Sequence, residues 1–392
     1  MKKDEQEARK AYLRETEGSV ASFAPGRIEF LGNHLDYNGG LVLGAAIDAG
    51  IYALATPRKG DGFRLFSESF EDAVVETGLD DFSRQDGKTS WANYCLGVLK
   101  VMQDEGMAPQ TGFSLSFMSD LPVSAGLSSS AALELATALV LAQLAGQELS
   151  RKDLVRVCRK AENEFVGLPC GILDQATSAY GRKDQLVSID CEKENFTTLP
   201  LPPRTMIWVF DSGIKHDLVD SQYATRNQEC KEALRLIREL KPSFSCLAQA
   251  DENILEKANL PSRIRKRALH VVREQERVRL FHEGLEKKAN PRELGRLLTD
   301  SHNSSTELFE NSCPELDALA QSLAERDEVL GARLTGGGFG GAVLAWTTTE
   351  FKQTDADGIA SSYEKRFGHC PQIHCFSPSK GASIEHREQA KG

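Results

Sequence analysis

The chain has 392 residues, of which 40% are hydrophobic and 27% charged, and its formal net charge is −10. This composition is typical of globular proteins, and the length suits about two domains. The acidic balance disfavours broad nucleic-acid binding, and no apolar run approaches the roughly 20 residues of a membrane helix. Nine cysteines without paired spacing, and a charged, helix-like amino terminus without an apolar signal region, predict reduced thiols and a cytoplasmic protein.

The first informative segment, residues 24–40, reads APGRIEFLGNHLDYNGG. It places an arginine, a histidine and an aspartate among glycines, which let a backbone approach a ligand closely. We interpret it as a ligand loop; the alternative is a hairpin in which Gly39 and Gly40 make the turn and Asp36 caps it. The apolar run over residues 41–54 predicts a buried strand next.

The middle of the chain alternates between helix and strand patterns. Apolar residues at helical spacing predict one helix, namely Trp91, Tyr94, Cys95, Val98 and Met102. Residues 113–117 alternate as in a half-buried strand. A serine-rich loop over residues 123–130 and a strong helix over residues 131–144 follow.

The serine-rich loop is suited to phosphate, because the first amides of a helix are unpaired and its macrodipole is positive there. The loop lacks the Gly-Lys-Ser/Thr ending of a Walker A loop. Serine hydroxyls would therefore contact phosphate and a hard cation such as Mg²⁺. The alternative is a serine-capped helix after a plain turn.

Two carboxylates follow this helix. Ser150 and Asp153 predict the capped start of a further helix that runs through Phe165 and carries Glu162 on its apolar face. A buried carboxylate needs a partner, for which a metal ion is one option, and a side chain reaching water is the alternative. Asp174 follows a Pro/Gly turn and is either functional or the cap of the next helix.

Near the carboxyl end, residues 333–341 read RLTGGGFGG before the strand-like AVLAW. Such a glycine cluster permits the backbone to wrap closely about a ligand or another loop. A later group of two histidines and two cysteines could be a metal site. Their spacing instead favours the alternative that they are neighbouring strand residues in a reduced protein. These residues are His369, Cys370, His374 and Cys375.

Three separated segments resemble, in content and order, the motifs of the GHMP kinase superfamily: PGRIEFLGNHLDYNGG, PVSAGLSSSAALE and LTGGGFGGAV. The segments GILDQ and KHDL…SQY narrow the resemblance to the galactokinase family, and the likeness covers nearly the whole chain. It implies an α+β fold of two domains, residues 1–205 and 206–392, with the active site in the cleft between them. The first domain would contain a left-handed β-α-β unit, and the second would be ferredoxin-like.

The resemblance implies transfer of the γ-phosphoryl group of ATP to the anomeric hydroxyl of galactose or a similar sugar, with Mg²⁺. By motif position, Asp174 is the catalytic base and Arg27 its partner. A monomer or weak homodimer is expected. The other positions that match the family's site are Ser67, Ala125, Gly126, Leu127, Ser128, Ser129 and Ser130 for the nucleotide, Ser130 and Glu162 for Mg²⁺, and Asn33, His34, Asp36, Gly171 and Tyr223 for the sugar.

The chain departs from the family in a few places. Galactokinases usually have Gly-Glu-His-Thr-Asp-Tyr where this chain has Asn33 and Leu35, and often have asparagine where it has Glu29; Ser124 replaces a common glycine. The family's glutamate meets the sugar's 6-hydroxyl and would repel a C6 carboxylate, whereas asparagine is neutral and can donate. The hypothesis is a sugar altered at C6, galacturonate or L-arabinose, with galactose as the family default.

A protein that senses sugar and ATP without catalysis is the alternative from another class. It is disfavoured because the run SSSAA is intact and the four residues that the chemistry needs, Arg27, Ser130, Glu162 and Asp174, are all present.

Overall fold

The computed structural model describes residues 18–70, 73–122, 126–168, 170–215 and 219–385. The amino-terminal segment predicted to be helical lies outside these residues, as do Ser124 and Ala125. Within the described ranges, no helix is both long and apolar enough to span a lipid bilayer.

The described residues form two sheets, and the first has eight strands. Residues 20–31 and 41–57 form its central antiparallel hairpin; both segments are rich in apolar residues and are mostly buried. The strands are β1 (Val20–Leu31), β2 (Leu41–Pro57), β3 (Gly62–Ser67), β4 (Val75–Gly78), β5 (Phe113–Ser119), β6 (Gln185–Asp190), β7 (Asn195–Pro200) and β12 (Ser383–Glu385). β3 and β5 pair in parallel, whereas the other pairs are antiparallel.

The second sheet has four antiparallel strands in the order β11-β8-β10-β9. They are β8 (Thr205–Lys215), β9 (Val329–Thr335), β10 (Gly340–Thr348) and β11 (Gln372–Phe376). Helices connect β8 to β9 and β10 to β11, so the connectivity and strand order are those of a ferredoxin-like sheet. The mixed α+β prediction is therefore confirmed. The domain boundary after residue 205 stays a prediction; β8 begins at Thr205, and β12 returns to pair with β1.

Ten α-helices lie within the described ranges: α1 (Ala92–Asp104), α2 (Ser129–Leu144), α3 (Arg151–Lys160), α4 (Leu173–Tyr180), α5 (Val219–Arg238), α6 (Glu252–Lys257), α7 (Ser262–Glu286), α8 (Pro291–Ser304), α9 (Pro314–Ala324) and α10 (Gln353–Phe367). The core joins the two sheets through α7, because Phe30 of β1, Phe281 of α7 and Trp346 of β10 meet edge to face. This aromatic contact fixes the position of β1, which carries the first predicted ligand residues.

The predicted elements around the serine-rich loop are confirmed, with β2, α1, β5, α2 and β10 at the expected places. Ser150 caps α3, since its Oγ accepts a hydrogen bond from the Asp153 amide at 3.1 Å. The α-helix ends at Lys160, and a π-helical turn, Ala161–Val166, then carries Glu162. Asp174 lies in the first turn of α4 behind Ile172 at the N-cap, so the alternative that Asp174 caps the helix is wrong.

Candidate active site

A cavity of about 250 Å³ lies where β1, the start of α4 and the β9–β10 hairpin meet. Other cavities are larger, including one of about 310 Å³ between α8 and α9, but this one brings together the predicted catalytic pair and every predicted sugar residue. Its lining residues are Arg27, Glu29, Asn33, His34, Asp36, Cys170, Gly171, Leu173, Asp174, Tyr223, Gly336 and Gly337.

Arg27 and Asp174 form a two-point ion pair in the wall of this cavity. Arg27 Nε and Nη2 donate to the two oxygens of Asp174 at 2.7 and 2.8 Å. The charge of Asp174 raises the pKa of the Arg27 guanidinium, although burial opposes this shift. The Asp174 carboxylate is less buried than Arg27, with a quarter of its side chain exposed. The pair is therefore held rigidly while the carboxylate remains open to a ligand.

The same arginine joins this pair to the serine-rich loop. Arg27 Nη1 donates to the Gly126 carbonyl at 2.7 Å, and the Arg27 amide donates to the Leu127 carbonyl at 3.0 Å. The Ser128 hydroxyl donates to Asp174. Ser128 stands at the N-cap with a left-handed backbone (φ 54°) and makes no capping hydrogen bond through its side chain. The alternative of a serine-capped helix is therefore wrong.

Ser129 and Ser130 form the first turn of α2, where helix amides have no partner within the helix. This helix end adjoins Asp174 through Ser128, which places an anion-binding terminus beside the carboxylate. Ser67 ends β3 outside the cavity wall, next to Phe117 in the strand pairing. Ala125 lies outside the described residues.

Glu162 and Ser130, the predicted Mg²⁺ residues, lie near each other, since Ser130 is one of the side chains that oppose the rise in the pKa of Glu162. Burial raises the pKa of Glu162, and Gln175 Nε2 donates to Glu162 at 2.6 Å. Two buried oxygens nearby, Gln175 Oε1 and Glu134 Oε1, have no hydrogen-bond partner in the described part of the chain. Hydroxyl and carboxylate oxygens suit Mg²⁺. No group of three or more His, Cys, Asp or Glu suited to a metal lies among the described residues.

His34 is a fixed, neutral ring in the cavity wall. Its Nε2 lies 3.1 Å from the Gly337 carbonyl and 3.0 Å from Asn311 Nδ2, and its Nδ1 lies 3.0 Å from the Tyr37 hydroxyl. Burial lowers the pKa of His34 to about 3. The left-handed backbone (φ 60°) is uncommon outside glycine and typical of functional sites. Tyr223 of α5 packs against this ring at 5.3 Å.

Asp36 and Gly171 are in close contact across the cavity. A Cβ atom on Gly171 would lie 1.9 Å from Asp36 Oδ2, so only glycine leaves this carboxylate in place. Burial raises the pKa of Asp36 to about 7, and the Glu29 charge adds to the shift. The site therefore contains a carboxylate whose charge changes near neutral pH.

Asn33 is fully buried, and its amide is bound by other protein groups. Its Nδ2 donates to Glu29 Oε1 at 3.0 Å and to the Gly336 carbonyl at 2.8 Å, while its Oδ1 accepts from Asn311 Nδ2 at 2.9 Å. These contacts leave no donor over for a C6 group of a sugar. They weigh against the hypothesis that Asn33 selects a substrate altered at C6.

Several residues that support the site were not predicted from the sequence. Glu274 of α7 accepts hydrogen bonds from the amides of Gly32 and Asn33, both at 3.0 Å. Arg333 of β9 is fully buried and donates to Glu29 Oε1 at 3.0 Å. Arg333 could have been found from the sequence, because it directly precedes the glycine cluster. Glu274 lies in an ordinary charged helix, and no sequence pattern distinguishes it.

The glycine cluster wraps around another loop, as one of its two interpretations predicts. The carbonyls of Gly336 and Gly337 contact Asn33 and His34. His374 and Cys375 lie on β11, and His369 contacts the Ser212 carbonyl at 2.8 Å.

Comparisons with known proteins show which family the chain resembles. Family models match three parts of the chain: the galactokinase galactose-binding signature at residues 9–57, the GHMP kinases N terminal domain at residues 93–182 and the GHMP kinases C terminal region at residues 281–369. The galactokinase of Thermosipho africanus is 36% identical over 92% of this chain and 98% of its own length. The galactokinase of Enterococcus faecalis is 35% identical over 93% and 95%.

Solved structures of similar proteins include a galactokinase. Lactococcus lactis galactokinase in complex with galactose superposes with a TM-score of 0.90 at 30% identity, covering 97% of this chain and 98% of that one. The mevalonate kinase of L. major matches at a TM-score of 0.61 and 18% identity, over 94% of this chain and 98% of that one, which shows a shared fold alone.

Proposed function

This chain belongs to the galactokinase family of the GHMP kinases, and we propose that it transfers the γ-phosphoryl group of ATP to the anomeric hydroxyl of galactose, giving galactose 1-phosphate. The observation that carries the proposal is the Arg27–Asp174 ion pair. It lies in the wall of a sugar-sized cavity and directly beside the amino terminus of α2. In this arrangement the sugar hydroxyl in the cavity and the phosphate at the helix terminus would both lie next to the Asp174 carboxylate.

In this mechanism Asp174 orients the C1 hydroxyl and accepts its proton as the bond to phosphorus forms. Arg27 holds the carboxylate at two points, so that its free lone pairs face the sugar. The positive charge of Arg27 also stabilises the charge that develops on the transferred group. Because phosphoryl transfer passes through a loose transition state, positioning contributes more than proton abstraction does.

The nucleotide phosphates would lie at the unpaired amides of the first turn of α2, with the hydroxyls of Ser128, Ser129 and Ser130 around them. An aromatic pair near Ser67 fits a purine: Phe70 is 47% exposed and lies parallel to Trp91. Ser130 and Glu162 would hold Mg²⁺, which neutralises phosphate charge when it is bound. We expect Glu162→Gln to raise the Mg²⁺ concentration that half-maximal activity requires.

The sugar side of the cavity supports galactose over a sugar acid. The carboxylates of Glu29, Asp36 and Asp174 all line it, so a C6 carboxylate would meet like charges. Neutral hydroxyls, in contrast, can donate to these oxygens. The relatives that match across nearly the whole chain are named galactokinases, and they favour neither the galacturonate nor the L-arabinose alternative.

We test the proposal by measuring ADP release from purified protein with ATP, Mg²⁺ and galactose, galacturonate, L-arabinose or N-acetylgalactosamine. Galactose should give the highest kcat/KM. Asp174→Asn should lower kcat by about 100-fold or more, whereas Asp300→Asn, a matched change on the exposed face of α8, should not. Faster turnover of galacturonate or L-arabinose would refute the substrate. Tight binding of galactose and ATP without ADP release would instead indicate a sensor.

We also propose that the protein acts in the cytoplasm as a monomer or weak homodimer. All nine cysteines are free, which suits a reducing compartment. Sedimentation at micromolar concentration should give a mass near 43.1 kDa. A stable higher oligomer would contradict this expectation.

A further inference from the structure

Glu29 has a role in the cavity that the predicted site does not include. Its side chain is 7% exposed and lines the cavity. Oε1 accepts hydrogen bonds from Asn33 Nδ2 and Arg333 Nη2, both at 3.0 Å. Oε2 takes no hydrogen bond from any residue that the structure describes. Because Glu29 lines the cavity, this oxygen is suited to a donor that arrives with a ligand.

The carboxylate is held rigidly in this orientation. Arg333 is itself fully buried and is fixed by the backbone carbonyls of Glu29 and Phe30. Asn33 is fixed by Gly336 and Asn311. Burial raises the pKa of Glu29, and the charge of Arg333 opposes that shift. A hydrogen bond from a ligand hydroxyl to Oε2 would also favour the ionised carboxylate.

Strand geometry places Glu29 beside Arg27 in the wall of the cavity. Arg27 and Glu29 are two residues apart in a regular stretch of β1, so both side chains leave the same face of the strand from Cα atoms about 6.6 Å apart. Arg27 holds Asp174, to which the proposed function assigns the C1 hydroxyl. A pyranose ring that begins at Asp174 therefore brings a hydroxyl remote from C1 to Glu29.

We propose that Glu29 is a specificity-determining residue, whose Oε2 accepts a hydrogen bond from the hydroxyl on C3, C4 or C6 of galactose. This inference rests on the proposed function. It also explains two departures together: this chain has a carboxylate at position 29 and an amide at position 33, and the family commonly has the reverse. Because the two side chains are hydrogen-bonded to each other, the exchange keeps one carboxylate and one amide in the same wall.

The first test compares wild type and Glu29→Gln on galactose and on its 2-, 3-, 4- and 6-deoxy analogues. Losing the charge-assisted hydrogen bond should lower the kcat/KM of wild type about 10- to 100-fold for one of the 3-, 4- or 6-deoxy sugars. Glu29→Gln should lose a similar factor on galactose and should no longer distinguish galactose from that analogue. Glu256→Gln, an exposed change of the same kind on α6, should behave as wild type does.

The inference is overturned if Glu29→Gln discriminates among all the analogues as wild type does, or if only the 2-deoxy sugar is affected. A wild type that does not phosphorylate galactose would instead refute the proposed function. The reciprocal double change, Glu29→Asn with Asn33→Glu, provides a test even if the single variants unfold. The double variant should keep kcat/KM within about tenfold of wild type, whereas each single variant should lose more than tenfold. If the double variant is no more active than the single variants, the inference that the two positions exchange roles is overturned.

Discussion

Galactose affinity should depend on pH through Asp36. Burial and the Glu29 charge raise the pKa of Asp36 to about 7, with Asp174 adding to the shift and Arg27 opposing it. Sugar hydroxyls donate more strongly to an ionised carboxylate than to a neutral one. Binding should therefore favour ionised Asp36 and release a proton at neutral pH.

The magnitude follows from this pKa. With a pKa of about 7, roughly one-eleventh of Asp36 is ionised at pH 6 and roughly ten-elevenths at pH 8. If the ionised form is the binding-competent one, apparent affinity is about tenfold weaker at pH 6, or about 1.4 kcal/mol. His34, whose pKa is lowered to about 3, stays neutral across this range and adds no slope.

Calorimetric titration of galactose into the protein without ATP measures this dependence directly. The affinity should rise about tenfold from pH 6 to pH 8, and buffers of different ionisation enthalpy should show proton release near pH 7. Asp36→Asn should bind more weakly at pH 8 and lose most of the pH dependence. Equal affinities at pH 6 and pH 8 in wild type, or an undiminished slope in Asp36→Asn, would refute the assignment.

Two further predictions concern positioning and stability. Gly171→Ala should raise the KM for galactose about tenfold or more with little change in the melting temperature, because its Cβ would displace Asp36; an unchanged KM would contradict the contact. Burial would raise the pKa of Glu274, but Arg277 and other partners hold it at about 2. Since this pKa is below the unfolded value, Glu274 stabilises the fold above about pH 4.5, and that stability is lost as the pH falls towards 2. Wild type should therefore lose about 1 kcal/mol of unfolding free energy between pH 5 and 3.5 from this group. Urea unfolding of Glu274→Gln should show a correspondingly smaller loss, and equal losses in the two proteins would count against it.

Local patterns were sufficient for the elements that hold the site. The apolar run of β2, the helical spacing in α1 and the serine-rich start of α2 were all found where the sequence predicted them. Each of these patterns reflects interactions within a few residues, such as capping, periodic burial and unpaired helix amides. Positions that matched the family's motifs then identified Arg27 and Asp174, which are 147 residues apart in the chain.

The sequence could not show how Asn33 is used. Considered alone, the amide suggested a contact with C6 of the substrate, because its neighbours in space were unknown. The fold surrounds it with Glu29, Gly336 and Asn311, which satisfy its hydrogen-bonding groups. The amide at position 33 is thus bonded to the carboxylate at position 29, and only the three-dimensional structure revealed this contact.

By itself, the sequence determined the chemical class of this protein, because phosphoryl transfer needs a few residue types in short motifs that local order preserves. The tertiary structure alone decided which carboxylates line the cavity and in which direction their pKa values are shifted. Those properties depend on burial and on charges brought together from distant strands and helices. Glu29 and Asp36 illustrate this dependence, since both pKa values are raised by burial that no local pattern specifies.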